Sequence, residues 1–430
     1  MTSGFEGKHL LLAGTGGVER QRVLTAIRRL GVGRVTCVGE GPNWAAPLVD
    51  DWVVVDPMRP VGDLPDKVRR HSGRPDAVLA LDDSSVMMAA ELAAAFRLPG
   101  VGPGSAARAT ARKSFREACR AEGVPTPRYT YVNIDKHNVA AALRTEGISF
   151  PVVVKPAHGV GGVFVRRVDG LQELEAVLAD FQARFVMDPR TARRTHGTML
   201  VEEYVEGPEV TIDLLVQAGQ LHYAAVADRF APVEPYFLER GRRIPSALPG
   251  GTQKELVRMA AAVLEALDLD DCCAQVDARW TTQGAEPIDV KLTVGATAAH
   301  RFNLDAFGVD LVQGAMQIAF GVPLDVTPPS AASCHLRSAA FRPPVGGVLR
   351  SIRVDPGVQD DPSLAELVVC RELGETVRVP PEASDYLGWI AVRGRTRAEA
   401  DEKLLQLVNG IRFKIGSQSF HGAFTGLAGF

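Results

Sequence analysis

Over the first hundred residues, short apolar runs alternate with stretches whose hydrophobic positions recur at helical spacing. They read HLLLAG, VERQRVLTAIRRLG, RVTCVG, WVVVD, and AVLALDD leading into SSVMMAAELAAAF. Continuous β-branched and leucine runs suit strands buried on both faces, as in a parallel sheet with crossover helices. The pattern predicts a doubly wound α/β domain ending near residue 110. Beyond it the rhythm changes: a helix beginning at Arg112 and Lys113 runs to about Glu122, and the turn GVPTPR ends it. Strands RYTYV, FPVVVK and GVFVRRV flank a helical pattern, LQELEAVLADFQARF. After the strand TMLVEEYV come VEGPEVTIDLLVQ and QLHYAAVADRF, whose alternation suits an antiparallel sheet. The helix KELVRMAAAVLEALDL precedes two more strands, CAQVDARWTT and EPIDVKLT. From about residue 330, HLRSAAF, GVLRSIRV, ELVVCREL, YLGWIAVRG and RAEADEKLLQLVNGI predict a further α+β lobe.

A chain of 430 residues is too long for one ordinary core, so two to four domains are expected. Its 48 Lys and Arg nearly balance 51 Asp and Glu, which gives no global reason for a nucleic-acid or membrane partner. The basic clusters at 67–74 and 190–194 read as solvated faces. The six cysteines have no C-x-x-C spacing and read as reduced, mostly buried thiols. The apolar run in MTSGFEGKHLLLAG is too short for a signal peptide, and no stretch approaches a membrane span, so a cytoplasmic location is the expectation.

Four stretches carry candidate chemistry. LLLAGTGGVER puts glycines after a first strand, but its spacing is not G-x-G-x-x-G, and Asp56 lies well beyond the usual ribose-binding distance. It reads as a tight strand-to-helix turn. In PVVVKPAHGVGG, Lys155 ends a buried strand, and Gly159, Gly161 and Gly162 strip side chains from a loop whose N–H groups then approach phosphate oxygens. LVEEYVEGPEV runs a strand into an acidic turn and out again, which suits a hinge: carbonyl and N–H groups between Glu202 and Val205 face an adenine edge, and Glu209 accepts from ribose hydroxyls. Finally, Asp277 in AQVDARW and Asp289 in PIDVKLTVG lie on strands joined by a short turn, at comparable heights. Such a pair either holds Mg²⁺ with nucleotide phosphates or pairs with Arg279 and Lys291.

In this order and spacing, Lys113, VVVKPAHGVGG, EEYVEGPE and the two-carboxylate strand pair resemble the ATP-grasp superfamily of carboxylate-amine and carboxylate-thiol ligases. The likeness covers nearly the whole chain and looks closest to the L-amino-acid ligases that make dipeptides, including the bacilysin-type branch. It is also carried by ALDDSSVMMAAELAAAFRLPGVGP, PYFLERGRRIPSAL, PPVGGVLRSI and YLGWIAVRG. The implied fold is mixed α/β and α+β. A doubly wound parallel-sheet domain (1–110) precedes a small hinged lid lobe (111–204), a large lobe with the metal site (205–330) and a C-terminal α+β part (331–430).

The resemblance implies that Lys113 and Lys155 touch ATP phosphates under the loop containing His158, Gly159, Gly161 and Gly162. It also implies that Glu202, Glu203, Tyr204 and Val205 hold adenine, Glu209 ribose, and Asp277 and Asp289 magnesium. The family usually carries Glu at the first metal position, Glu and then Asn two residues later at the second, and an arginine two residues further on. Here Asp277, Asp289, Lys291 and Thr293 stand instead. Lys291, Arg279 or Arg301 is then the candidate replacement for that arginine, or Lys291 neutralises Asp289 and impairs metal binding.

The implied reaction phosphorylates an amino-acid carboxylate with ATP and passes the acyl group to an amine, releasing ADP and phosphate. His158 and His300 are candidate bases. Residues 235–245, with Tyr236, Phe237, Glu239, Arg240, Arg242 and Arg243, are a candidate lining for the acceptor pocket. The partners are amino acids or amines, and a homodimer is common among relatives. Three other readings remain: a ligase for another acid or nucleophile, a nucleotide-binding pseudoenzyme favoured by Lys291 and Thr293, and a dehydrogenase suggested only by AGTGG.

Overall fold

The computed structural model describes residues 4–56, 62–134, 138–157, 164–187, 197–295, 299–327, 329–380, 383 and 385–422. The N-terminal apolar runs form a four-stranded parallel sheet in the order Asp51–Val54, Arg34–Gly39, His9–Ala13, Ala77–Ala80. Every residue of His9–Ala13 is buried, as a central strand covered on both faces requires. In the glycine turn after it, a Cβ on Gly14 (φ +74°) would meet Ser85 Oγ at 2.3 Å. Trp44 Nε1 donates to Gly16 O at 2.9 Å. The turn is thus packed by the protein's own side chains, which accounts for its glycines without a dinucleotide.

The lid is an antiparallel sheet in the order Tyr129–Asn133, Thr198–Glu203, Val152–Pro156, Arg166–Val168. The helices Val139–Glu146 and Leu171–Met187 cover it, and Leu143, Val154, Leu174, Leu178 and Val201 form its core. Burying each such side chain contributes roughly 1.5–3 kcal/mol.

The large lobe is an eight-stranded sheet ordered Gly284–Lys291, Cys272–Thr281, Glu209–Gln217, Gln220–Arg229, Arg242–Ile244, His335–Phe341, Gly388–Gly394, Leu364–Val369. The chain on either side of residue 330 therefore shares one sheet, because His335–Phe341 pairs with Arg242–Ile244. Local alternation predicts such strands but does not say which neighbour they take. A second C-terminal sheet, Thr376–Val377, Gly347–Val354, Ile411–Ile415 and Gln418–His421, packs with the helix Arg397–Val408 through Leu349, Leu404, Val408 and Phe413.

The helix Arg112–Ala121 ties lid to large lobe. Phe115 and Cys119 join the large-lobe core with Leu256 and Leu264, while the buried Arg116 reaches the lid. All six cysteines are free thiols, four of them buried. Among the described residues no helix is long and apolar enough to cross a membrane.

Candidate active site

Strand pairing in the lid brings Lys155 beside Glu202, since Val153 stands opposite Glu202 and Lys155 opposite Leu200. Lys155 Nζ forms an ion pair with Glu202 Oε1, and Arg116 Nε donates to Oε2 at 3.1 Å. Arg116 also donates to the carbonyls of Pro287 (2.7 Å) and Ile288 (3.2 Å), on the strand that bears Asp289. Burial alone would raise the Glu202 pKa, but Arg116 and Lys155 outweigh it and hold the carboxyl below its ordinary value. The Glu202 side chain thus holds Lys155 at a fixed height, a role beyond the backbone contacts expected of this residue.

Glu203 points to the opposite face, as strand alternation demands, and accepts from Arg128 Nη2 at 2.7 Å and Ser149 N at 3.0 Å. The Glu203 and Tyr204 amides are committed to Arg128 O and Pro151 O. The Val205 carbonyl accepts from Arg279 Nη1 at 2.6 Å, and the Arg279 guanidinium also lies 4.7 Å over the Tyr204 ring. Arg279 therefore belongs to the hinge. Arg279, expected as one candidate for the missing arginine, is placed by the structure against Val205 O, the Tyr204 ring and Glu209.

Lys113 is also displaced from its expected place. Half exposed, it lies 5.3 Å over the Tyr131 ring and 3.7 Å from Glu117, in a groove shared with Arg120 and Glu146. Arg112, one helical turn before Arg116, instead donates to Pro156 O at 2.8 Å beside Lys155. The apolar stripe of Phe115 and Cys119 fixes this phase and was the signal available in the sequence. His158, Gly159, Gly161 and Gly162 lie outside the described residues.

On the large lobe, Asp277 and Asp289 are direct cross-strand partners, as the short turn predicts. Their surroundings are not those of a metal pair. Asp277 Oδ1 accepts from Thr211 Oγ1 at 2.8 Å, and Oδ2 lies 2.7 Å from Lys291 Nζ and 2.9 Å from Arg229 Nη1. Burial would raise the Asp277 pKa, but Lys291 and Arg229 drive it well below the carboxylate range. Arg229 also pairs with Glu209 at 3.0 Å, and Arg279 takes the other Glu209 oxygen at 3.1 Å. The expected ribose acceptor is thus held by two arginines.

Magnesium prefers octahedral oxygen ligands, and here the Asp277 carboxylate is already met by two cations and a hydroxyl. Among the described residues no group of three or more His, Cys, Asp or Glu is arranged to hold a metal ion. The expected Asp277–Asp289 magnesium site does not fit these residues. The Asp289 carboxylate favours the charged forms of Lys155 and Lys291 and disfavours that of Asp83.

Thr293, at the expected arginine position, donates to Asp83 Oδ1 at 3.2 Å. Arg301 pairs with Asp305 at 2.9 Å in its own helix, and the structure does not bring it to Asp277. His300 is largely buried, which lowers its pKa to about 4 and leaves it a poor base near neutral pH. In the candidate acceptor lining, Arg242 is held by Glu239 (3.0 Å) and Arg243 by Asp401 (3.1 Å). Sequence reasoning missed Arg112, Arg116, Arg229 and Asp83, each brought in by tertiary packing.

Residues 148–298 match the ATP-grasp domain family, over three of the four lid strands, the hinge and the aspartate strand pair just described. The chain carries an ATP-grasp domain. Its residues 339–416 match the family called L-amino acid ligase C-terminal domain 2. The whole ATP-grasp architecture superposes on the crystal structure of L-amino acid ligase from Bacillus licheniformis with a TM-score of 0.83, at 20% identity, covering 96% of this chain and 99% of that one. In sequence the protein is similar to carnosine synthase 1 of Gallus gallus, 29% identical over 74% of this chain and 36% of the relative. It is also similar to carnosine synthase 1 of Homo sapiens, 26% identical over 95% of this chain and 51% of the relative. The chain thus spans about half, or less, of the length of these relatives.

Proposed function

We propose that the protein is an ATP-dependent ligase that joins the carboxylate of one amino acid to the amine of a second amino acid or amine. The observation that carries this reading is the cross-lobe constellation. Lys155, paired with the Glu202 carboxylate that Arg116 also holds, belongs to the lid, while Asp289 and Lys291 stand on the large-lobe strand whose carbonyls the same Arg116 grips. A nucleotide between them would meet its phosphates with the Lys155 ammonium and the Arg112 guanidinium. Its adenine would lie against the Glu202 to Val205 turn. The match to an L-amino acid ligase C-terminal domain and the fold shared with such a ligase support amino acids as substrates.

In the proposed chemistry a carboxylate oxygen attacks the γ-phosphorus of ATP and ADP departs. The amine nitrogen then attacks the acyl carbon, phosphate departs and the amine loses a proton. A free carboxylate oxygen is a poor leaving group, and phosphorylation makes it a good one. The chain's residues bind, orient and exclude water, since phosphoryl transfer is catalysed chiefly by positioning and electrostatics. No step is routed through a metal at Asp277.

The test is phosphate release from ATP across a matrix of paired amino acids, with products read by mass spectrometry. Release that needs both amino acids, with a product equal to their summed mass less one water, supports the ligase. ADP binding without turnover for any pair would instead identify the nucleotide-binding regulator that Lys291 and Thr293 favour.

A further inference from the structure

Resting on the nucleotide site proposed above, we propose that Lys291 and Arg229 are built-in cations that occupy the Asp277 carboxylate in place of a divalent ion, so that nucleotide binding does not depend on a metal held by Asp277 and Asp289. Three observations converge on the Asp277 carboxylate. The first is pairing geometry. Lys291 stands opposite Gln275, two residues from Asp277 along the neighbouring strand, and its ammonium reaches back diagonally to Asp277 Oδ2 at 2.7 Å.

The second is the approach from the other side. Arg229 ends the strand Gln220–Arg229 and crosses the intervening strand Glu209–Gln217 to reach the same oxygen at 2.9 Å, while Thr211 of that intervening strand fills Oδ1 at 2.8 Å. Two unit positive charges thus lie against Asp277, matching in sum the charge of one divalent ion. A divalent ion bound beside them would be repelled by both. Asp277 is nearly inaccessible, with 6% of its side chain exposed, so little water screens that repulsion.

The third is chemical type. A lysine ammonium has donors and no acceptor, so Lys291 cannot be a metal ligand. Burial and the Arg229 guanidinium disfavour its charged form, but Asp277 chiefly, with Asp83 and Asp289, outweighs them. The Lys291 side chain is a quarter exposed, unlike that of Asp277. Arg229, held by Asp277, Glu209 and Glu239, is a positioning residue that fixes Asp277 from behind.

Calorimetric titration of ADP in millimolar magnesium chloride and in EDTA tests this on the intact chain. Affinities within about threefold of each other are expected, and a tenfold or greater loss in EDTA would overturn the proposal. Lys291→Asn, which exchanges the charge for a ligand oxygen, is expected to make ADP binding at least about tenfold dependent on magnesium. Lys291→Met, which supplies neither, is expected to weaken ADP binding in both buffers; an unchanged affinity would overturn the role of Lys291. If ADP binds under no condition, the nucleotide reading fails, and Mn²⁺ titration followed by electron paramagnetic resonance decides the cation proposal separately. At least about tenfold tighter Mn²⁺ binding by Lys291→Asn than by the unsubstituted protein supports it, and equal binding overturns it.

Discussion

Replacing Glu202 by Gln removes one negative charge from between two buried cations. The side chains of Arg116, Glu202 and Lys155 are 0%, 4% and 7% exposed, so water does not compensate for the loss. Gln retains an acceptor for Arg116, which places the effect at the lower end of the usual range for breaking a buried ion pair, about 3 kcal/mol. Because Val153, Val154, Leu200 and Val201 share the strands that carry Lys155 and Glu202, the cost falls on opening of the lid. A loss of about 3 kcal/mol corresponds to roughly 150-fold faster native-state hydrogen exchange at those amides. Glu203→Gln, which breaks the exposed pair with Arg128, is the control and should accelerate exchange far less, because solvent screens that pair. The Glu202 pKa is lowered in the folded state, so its contribution is present above the ordinary value of 4.5 and disappears as pH falls through the folded value. Acceleration by less than about fivefold, or equal effects of the two substitutions, would refute the reasoning.

Arg112→Ala is expected to weaken ADP binding roughly tenfold, whereas Lys113→Ala should leave it within about twofold; calorimetry giving the reverse order would restore Lys113 to the phosphate site. Gly207→Ala places a Cβ 2.1 Å from Trp280 O at a φ of +140° and should destabilise the hinge by about 2 kcal/mol or more, read as a lower thermal midpoint. Gly170→Ala, with nothing within 4 Å, serves as its control. His300 is held neutral, with its pKa lowered by burial from 6.5 to about 4, so the unfolded chain binds the extra proton in that window. Stability should therefore fall by up to about 3 kcal/mol as pH drops from 6.5 towards 4, and His300→Asn should flatten that slope in urea titrations.

Much of the architecture was legible because burial writes itself into local pattern. The two-sided burial of His9–Ala13 produced an unbroken apolar run, and the short turn between Thr281 and Gly284 set Asp277 opposite Asp289. What the pattern could not carry was partnership across distant strands. Arg229 reaches Asp277 over an intervening strand, and Arg116 joins a helix to two lobes. Neither contact has a local periodicity. The displacement from Lys113 to Arg112 is different in kind: the helical stripe of Phe115 and Cys119 already fixed which neighbour faces inward. The identity of Lys291 signalled a changed metal site, but only the fold shows its ammonium paired with Asp277 and not with Asp289.

The most direct measurement is a crystal structure of the protein with a non-hydrolysable ATP analogue. The account predicts adenine against residues 202–205, the phosphates between Lys155 and the Asp289–Lys291 strand, and Lys291 still paired with Asp277. A cleft empty of nucleotide at saturating analogue, or phosphates bound away from Lys155, would contradict it.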